Sequence, residues 1–357
     1  MKKWILLLCG ILPACQTMKH NAEDDIACQT INLATVFDTE PQKVQLDEWA
    51  KSVRYIPLET NDSVLLTGFI PHLILQDNKL VLFNKDRLYL FDQDGTFVRT
   101  IGKRGEGPED FISISNIWAD NNGIYLADNN KWIKTYGWDG KWKKTSSIPA
   151  NKNIQEIMPL SDGRTLGYIQ NISGKEPIRM HIFRDTTILQ SIPYSRSYEP
   201  GTITMVFYNE CKVFDSPEGD YVKEMFNDTI YRVTEKNTVV PRWAIDAGKY
   251  KIPEGIRFSL KDPRDNIFAN TASMNIIGIC NNTLYMTSRT NKNSYLLCYD
   301  TEKQETQSVT LPFPENSFAF NESATFVPRF ISDDHRYLIG FEAQENDENP
   351  VIVLAER

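Results

Sequence analysis

A short polar turn followed by an alternating strand returns six times along this chain. It appears as DNKLVLF (77–83), NNGIYLAD (121–128), SDGRTLGYI (161–169), SPEGDYVKEM (216–225), NNTLYMTS (281–288) and DDHRYLIGFE (333–342). Each is preceded by an apolar stretch, so each marks an inner hairpin whose side chains point alternately to two faces. Most are followed by a third strand: RLYLFD (87–92), WIKTYGW (132–138), IRMHIF (178–183), TIYRVT (229–234), SYLLCYD (294–300) and VIVLAE (351–356). A fourth then ends at Ile148-Pro149, Ile192-Pro193, Val240-Pro241 or Leu311-Pro312. Proline has no N–H to give to a ladder and belongs at strand ends and on edges, where the outermost strand of such a unit sits. Four antiparallel strands per repeat, with almost no helical period, predict an all-β chain folded as a six-bladed β-propeller.

The two ends of the pattern complement each other. The sixth unit stops after its third strand, at Arg357, while VRYIPL (53–58) reads as a fourth strand with no first three before it. The N-terminal strand is therefore expected to complete the last blade and close the ring, which removes an open sheet edge. Within the first blade, Asp94-Gly95 is a hairpin turn, because these two residues tolerate the positive φ that a type I′ turn requires.

Lys2 and Lys3, the apolar run Trp4 to Leu12, and Leu12-Pro13-Ala14-Cys15 have the order of a bacterial lipoprotein signal, with Cys15 as the lipidated residue. The expected organisation is a signal and lipobox over 1–15, a flexible polar tether over 16–45, and the propeller over 46–357. Loss of Lys2 and Lys3 takes the formal net charge from −8 to −10. A surface that acidic excludes a nucleic-acid partner, whose phosphates need a basic footprint. The membrane is expected to be met only through the lipid. Cys280 and Cys298 fall on the first and third strands of one sheet, two ~4.8 Å spacings apart, beyond the ~7 Å reach of a disulfide. With Cys28 and Cys211 they read as small buried hydrophobes.

The stretches YIPLET (55–60), FDQDGTFVRTIGKRGEGPEDF (91–111), FNDTIYRV (226–233) and PRWAIDAGKYKIPE (241–254) resemble those of the six-bladed β-propeller lipoproteins of Bacteroidetes, related in architecture to NHL-like and TolB-like propellers. The resemblance implies a lipid-anchored propeller of the cell envelope, outer-membrane, periplasmic or surface-facing. It transfers no activity and no catalytic residues.

Chain reversal at each turn puts the 1–2 and 3–4 turns on one face and the 2–3 turns and blade-to-blade crossings on the other. The second face holds GKRGEGPEDF (102–111), the polar 2–3 turns and a crossing from about 244 to 273, long enough to expect a task for it. Lys103, Arg104, Glu106, Lys131 and Arg289 are the candidate ligand-binding residues there. The glycines of 102–111 could be taken for a phosphate cradle, but no helix follows them, so a tight crossing is the simpler reading. Trp132, Trp138, Trp142 and Tyr136 crowd one blade, either as filler between sheets or as a stacking surface for sugars.

No nucleophile signature, acid–base pair or histidine spacing for a metal is legible; Asp and Asn side chains leave a channel calcium open, but no EF-hand-like loop supports one, so no cofactor is expected. Two readings stand. One is a binding module for a glycan, a peptide or an envelope protein. The other is a propeller enzyme, a lactonase-like hydrolase or a lyase, with a metal in the central channel. Convergence of Asp, Glu, Asn or His on one point of the channel would separate them; the legible first strands (72–76, 114–118, 154–159, 274–280, 326–331) are poor in carboxylates, which favours binding.

Overall fold

The computed structural model describes residues 27–357 apart from 68, 151, 204, 263–265, 267, 315–319, 321–322 and 345–347; the signal and Cys15 lie outside the described residues. Blade 1 is built of His72–Gln76, Lys79–Asn84, Arg87–Asp92 and Phe97–Ile101, and blade 2 of Ile114–Asp120, Gly123–Asp128, Trp132–Tyr136 and Trp142–Ser147. Blade 3 follows with Glu156–Pro159, Thr165–Tyr168, Ile178–Arg184 and Thr187–Pro193, and blade 4 with Cys211–Ser216, Gly219–Glu224, Thr229–Val233 and Val239–Asp246. Blade 5 comprises Ser273–Cys280, Thr283–Arg289, Ser294–Asp300 and Glu305–Pro312. Blade 6 has Phe330–Ile331, Tyr337–Glu342 and Val351–Glu356, and its outermost strand is Ser52–Pro57. The ring is therefore closed as the sequence implied, with Tyr55 opposite Val353 and Ile56 opposite Ile352. First strands of successive blades touch all the way round, blade 6 to blade 1 included.

The physical reason for this shape lies in the inner strands. Lys79–Asn84 and Val351–Glu356 are buried on both faces, so each blade must be covered by a neighbour on either side. Six apolar cores fill the six blade interfaces, exemplified by Leu80 and Leu354 between blades 6 and 1, and by Tyr221 and Leu297 between blades 4 and 5. Cys211, Cys280 and Cys298 are free thiols inside these cores, whereas Cys28, expected to be buried with them, is exposed just before the strand added to blade 4.

The expected free tether to residue 45 is corrected. Gln29–Asn32 adds a parallel fifth strand to the outside of blade 4, Gln42–Lys43 adds one to blade 5, and Leu46–Trp49 forms a helical turn against blades 5 and 6. These pieces cover sheet edges that would otherwise offer unpaired N–H and C=O groups. Pro241 lies inside its strand rather than at the end, opposite Tyr231 at a register shift, and the added strand pairs only beyond it, from Trp243 onward. The first strand of blade 6 is shorter than expected. Val327-Pro328 interrupts it, and Thr325–Phe326 pairs instead with Pro312 and Leu311 of blade 5.

Candidate ligand-binding face

The crossing face is where apolar groups meet solvent. Among the described residues, eight large hydrophobic side chains are exposed, and seven of them belong to this face: Leu65, Phe69, Ile112, Trp132, Val206, Tyr208 and Val327. Only Leu189, on the outer strand of blade 3, does not. Tyr208 is 93% exposed, and Phe69 and Val327 also border the central channel, a cavity of about 1080 Å³ walled by the first strands. Their placing on one side of the ring makes the crossing face the candidate for an interaction surface.

The 102–112 crossing is a tight, pinned loop. Gly102 has φ +60°, and a Cβ there would stand 2.9 Å from the Tyr136 hydroxyl. Cβ atoms on Gly105 and Gly107 would collide with the Asp110 carboxylate, which accepts a hydrogen bond from the Gly107 N–H (3.2 Å). From blade 2, Lys134 donates to the Pro108 carbonyl (3.0 Å) and Tyr136 to that of Glu109 (2.5 Å). Asp128 Oδ1 takes the N–H groups of Ile112 (2.8 Å) and Ser113 (3.0 Å). The glycines thus serve close packing, and a strand rather than a helix follows them.

Between this loop and the outer half of blade 2 lies an open groove of about 660 Å³, bordered by Glu106, Trp132 and Trp142. The tryptophans divide by role. Trp132 is 38% exposed and Trp142 half-buried, whereas Trp138 donates to the Asp120 carbonyl (3.1 Å) away from the groove. Tyr136 is core.

Lys103, Arg104 and Glu106 sit together on the 102–112 crossing, and Lys131 is next to Trp132 in the adjacent 2–3 turn, all exposed. Lys103 lies 3.9 Å from Asp110, and Arg104 bridges Phe111 through its backbone. Arg289 does not join them. It ends the second strand of blade 5, which a six-membered ring places opposite blade 2.

The channel walls carry more charge than the first strands alone foretold, and several of these groups join neighbouring blades. Glu156 Oε1 accepts from the Glu210 N–H (2.8 Å) and Oε2 from the Cys211 N–H (3.1 Å); burial pushes its carboxyl up to about 7 against those bonds. Glu210 is buried, accepts from the Tyr168 hydroxyl (2.8 Å) and is paired with Arg257; burial raises its pKa, opposed by that arginine. Glu224 holds Arg179 (Nε, 2.8 Å), which lies over the Tyr231 ring. Asp220 takes the Ser161 N–H (2.9 Å) and hydroxyl (3.0 Å). Burial, with Lys212 nearby, pulls His72 down to about 4, and burial lowers Lys223 to about 8. Among the described residues no three His, Cys, Asp or Glu side chains are grouped to hold a metal.

Sequence reasoning missed these clamps, although aligned repeats carry their trace. The residue at or just past the end of each second strand is polar: Asn84, Asp128, Gln170, Glu224, Thr290 and Glu342. Asn84 holds Thr67 and Phe69, Asp128 holds Ile112 and Ser113, and Gln170 holds Phe207, each fixing the crossing that enters its own or the next blade.

A family model described as a domain of unknown function, DUF4934, matches residues 28–351. The chain belongs to the DUF4934 family. Its match begins where the first added strand begins, so the edge-covering segment is part of the DUF4934 unit. Among curated proteins none matches. The fold is similar to that of a provisionally named exported protein of Bacteroides fragilis, 17% identical, with 93% of this chain and 100% of that one covered and a TM-score of 0.66. It is also similar to a DUF4221 family member of Bacteroides vulgatus, 11% identical, covering 86% and 97%, with a TM-score of 0.54.

Proposed function

We propose that this DUF4934 chain is a lipid-anchored binding module of the cell envelope that presents its crossing face to a glycan or peptide ligand. The observation that carries the reading is the placing of seven exposed apolar side chains on that face, two of them, Phe69 and Val327, at the channel mouth and two, Ile112 and Trp132, on the elements that carry Lys103, Arg104 and Lys131. Loops on a rigid ring are where recognition is usually found, and the basic groups can pair with carboxylates of an acidic ligand. The likeness in fold to an exported Bacteroides protein supports an envelope setting. The anchor rests on the charged, apolar and small-residue order before Cys15.

The test is a pull-down from envelope extract with wild type, the Lys103→Ala/Arg104→Ala double variant and Tyr208→Ser. Retention should fall several-fold in the variants with the melting temperature nearly unchanged; equal retention by all three counts against this face. Metal-dependent turnover of a lactone or uronate by the wild type would overturn the non-enzymatic reading. Cys15→Ser should release the protein from membranes or block its processing, and undiminished lipid labelling of that variant would remove the anchor.

A further inference from the structure

We infer that the groove between the 102–112 crossing and the outer half of blade 2 is a saccharide subsite, in which rings of an uncharged oligosaccharide stack on Trp132 and on Trp142. This rests on the reading of the crossing face as a ligand-binding surface and names the chemistry of one part of it.

Register places the two tryptophans. Trp132 pairs with Ser147, Lys134 with Thr145 and Tyr136 with Trp142, so the aromatic wall runs along one side of the two outer strands. Four ~3.3 Å rises separate Trp132 from the level of Trp142, about 13 Å, a span longer than one sugar ring. Lys134, tied to Pro108, lies between them, the Trp142 indole N–H is directed to Thr145 Oγ1 (3.2 Å), and both tryptophans line the groove. The facing wall is backbone, the run Gly105 to Pro108, whose two glycines have no side chain to fill the space. The volume of about 660 Å³ falls among small-ligand sites.

The polar complement selects for hydroxyls. Three carboxylates, of Glu106, Asp110 and Asp128, and three ammonium groups, of Lys134, Lys143 and Lys144, line the groove, so its formal charge balances. Two of those ammonium groups are already committed, Lys134 to Pro108 and Lys143 to the Asn122 carbonyl (2.6 Å). Asp128, wholly buried at the base, has no partner for Oδ2 among the described residues, an acceptor in want of a hydroxyl donor. A pyranose has an apolar C–H face for an indole and a rim of groups that both donate and accept. A peptide fits less well. Its natural purchase would be the free edge of Trp142–Ser147, and that edge carries Lys143 and Lys144, charges of the kind that discourage strand addition.

The experiment is affinity electrophoresis through gels containing laminarin, xyloglucan, galactomannan or polygalacturonate, with tryptophan fluorescence on the matching oligosaccharides. Wild type should be retarded by at least one neutral polymer, with a change in indole emission. Trp132→Ala should lose about tenfold or more in affinity, the scale of a lost aromatic contact, while Trp138→Phe should bind as wild type. Trp142→Ala should also weaken binding; because Trp142 packs on the blade 1–2 core, Trp132→Ala, at an exposed site, decides. No retardation by any neutral polymer, or equal retardation of wild type and Trp132→Ala, overturns the subsite. Retardation by polygalacturonate alone, lost in Lys103→Ala/Arg104→Ala and kept in Trp132→Ala, overturns it while leaving the binding face standing.

Discussion

Arg257, carried by a 3₁₀ turn in the middle of the 247–272 crossing, is paired with Glu210 at the entrance to blade 4, and both side chains are buried. The guanidinium lies between the rings of Phe207 and Phe226, at 5.2 and 4.6 Å. Around it Phe226, Ile252 and Leu260 form a seventh small core beneath the 194–210 and 247–272 crossings. The long crossing is thus fastened over blades 3 and 4 rather than free.

Removing that arginine should be costly in a pH-dependent way. Arg257→Ala leaves Glu210 as an uncompensated buried carboxylate, a loss of about 3–5 kcal/mol. Without its partner Glu210 binds a proton more readily, so the deficit should be largest at pH 8 and shrink toward pH 5. Urea unfolding at both values measures it. A deficit equal at the two pH values would mean that packing on the phenylalanines, not charge pairing, is what Arg257 supplies.

Closure of the ring by Ser52–Pro57 is tested by truncation. A chain beginning at Asp62 strips Val351–Glu356 of its partner and removes Ile56 and Leu58 from the core between blades 6 and 1. It should melt well below a chain beginning at Thr39 and aggregate through the exposed edge. Equal melting temperatures would show that blade 6 is stable with three strands.

The blades were legible because each inner strand is a run such as RLYLFD, whose burial on both faces leaves one arrangement open to it. The edge-covering strands were not, since Gln29–Asn32 and Gln42–Lys43 are too short to show a period and derive their form from the edges they join. The face of Lys103, Arg104 and Lys131 could be reached by counting chain reversals. Arg289 shares that face but not that place, since the fifth of six blades stands opposite the second, as the order of the repeats already implied. The groove was half visible. Three tryptophans in one blade were plain, yet which of them packs and which meets solvent depends on the register shift between Thr135 and Tyr136 that brings Trp142 opposite Tyr136. The Arg257–Glu210 pair lies 47 positions apart with no local signature.

His335 provides the last prediction. It sits in the 1–2 turn of blade 6 with φ 55°, its Nδ1 3.2 Å from the Ile279 carbonyl and its Nε2 3.5 Å from Asp215 Oδ2, so that it spans the inner end of blade 5 from blade 6 to blade 4. Both ring nitrogens face acceptors, and only the imidazolium can donate to both. The bond to Asp215 raises the His335 pKa despite burial, with Asp333 adding to the same field; Asp215 is lowered, burial being outweighed by His335. A raised histidine stabilises the fold below its unfolded value near 6.5 and loses that contribution as pH climbs through the folded value. A lowered aspartate does the reverse, contributing above about 3.8 and failing as pH falls through its folded value. The bridge is therefore whole between about pH 4 and 6.5, and the melting temperature should decline from pH 6 to pH 8.5. Asp215 is half exposed to channel water, so the effect is expected to stay under about 1 kcal/mol. His335→Asn keeps a residue suited to positive φ but cannot titrate, and its melting temperature should vary less over that range. A variant with the same slope as wild type would assign the pH dependence to other groups.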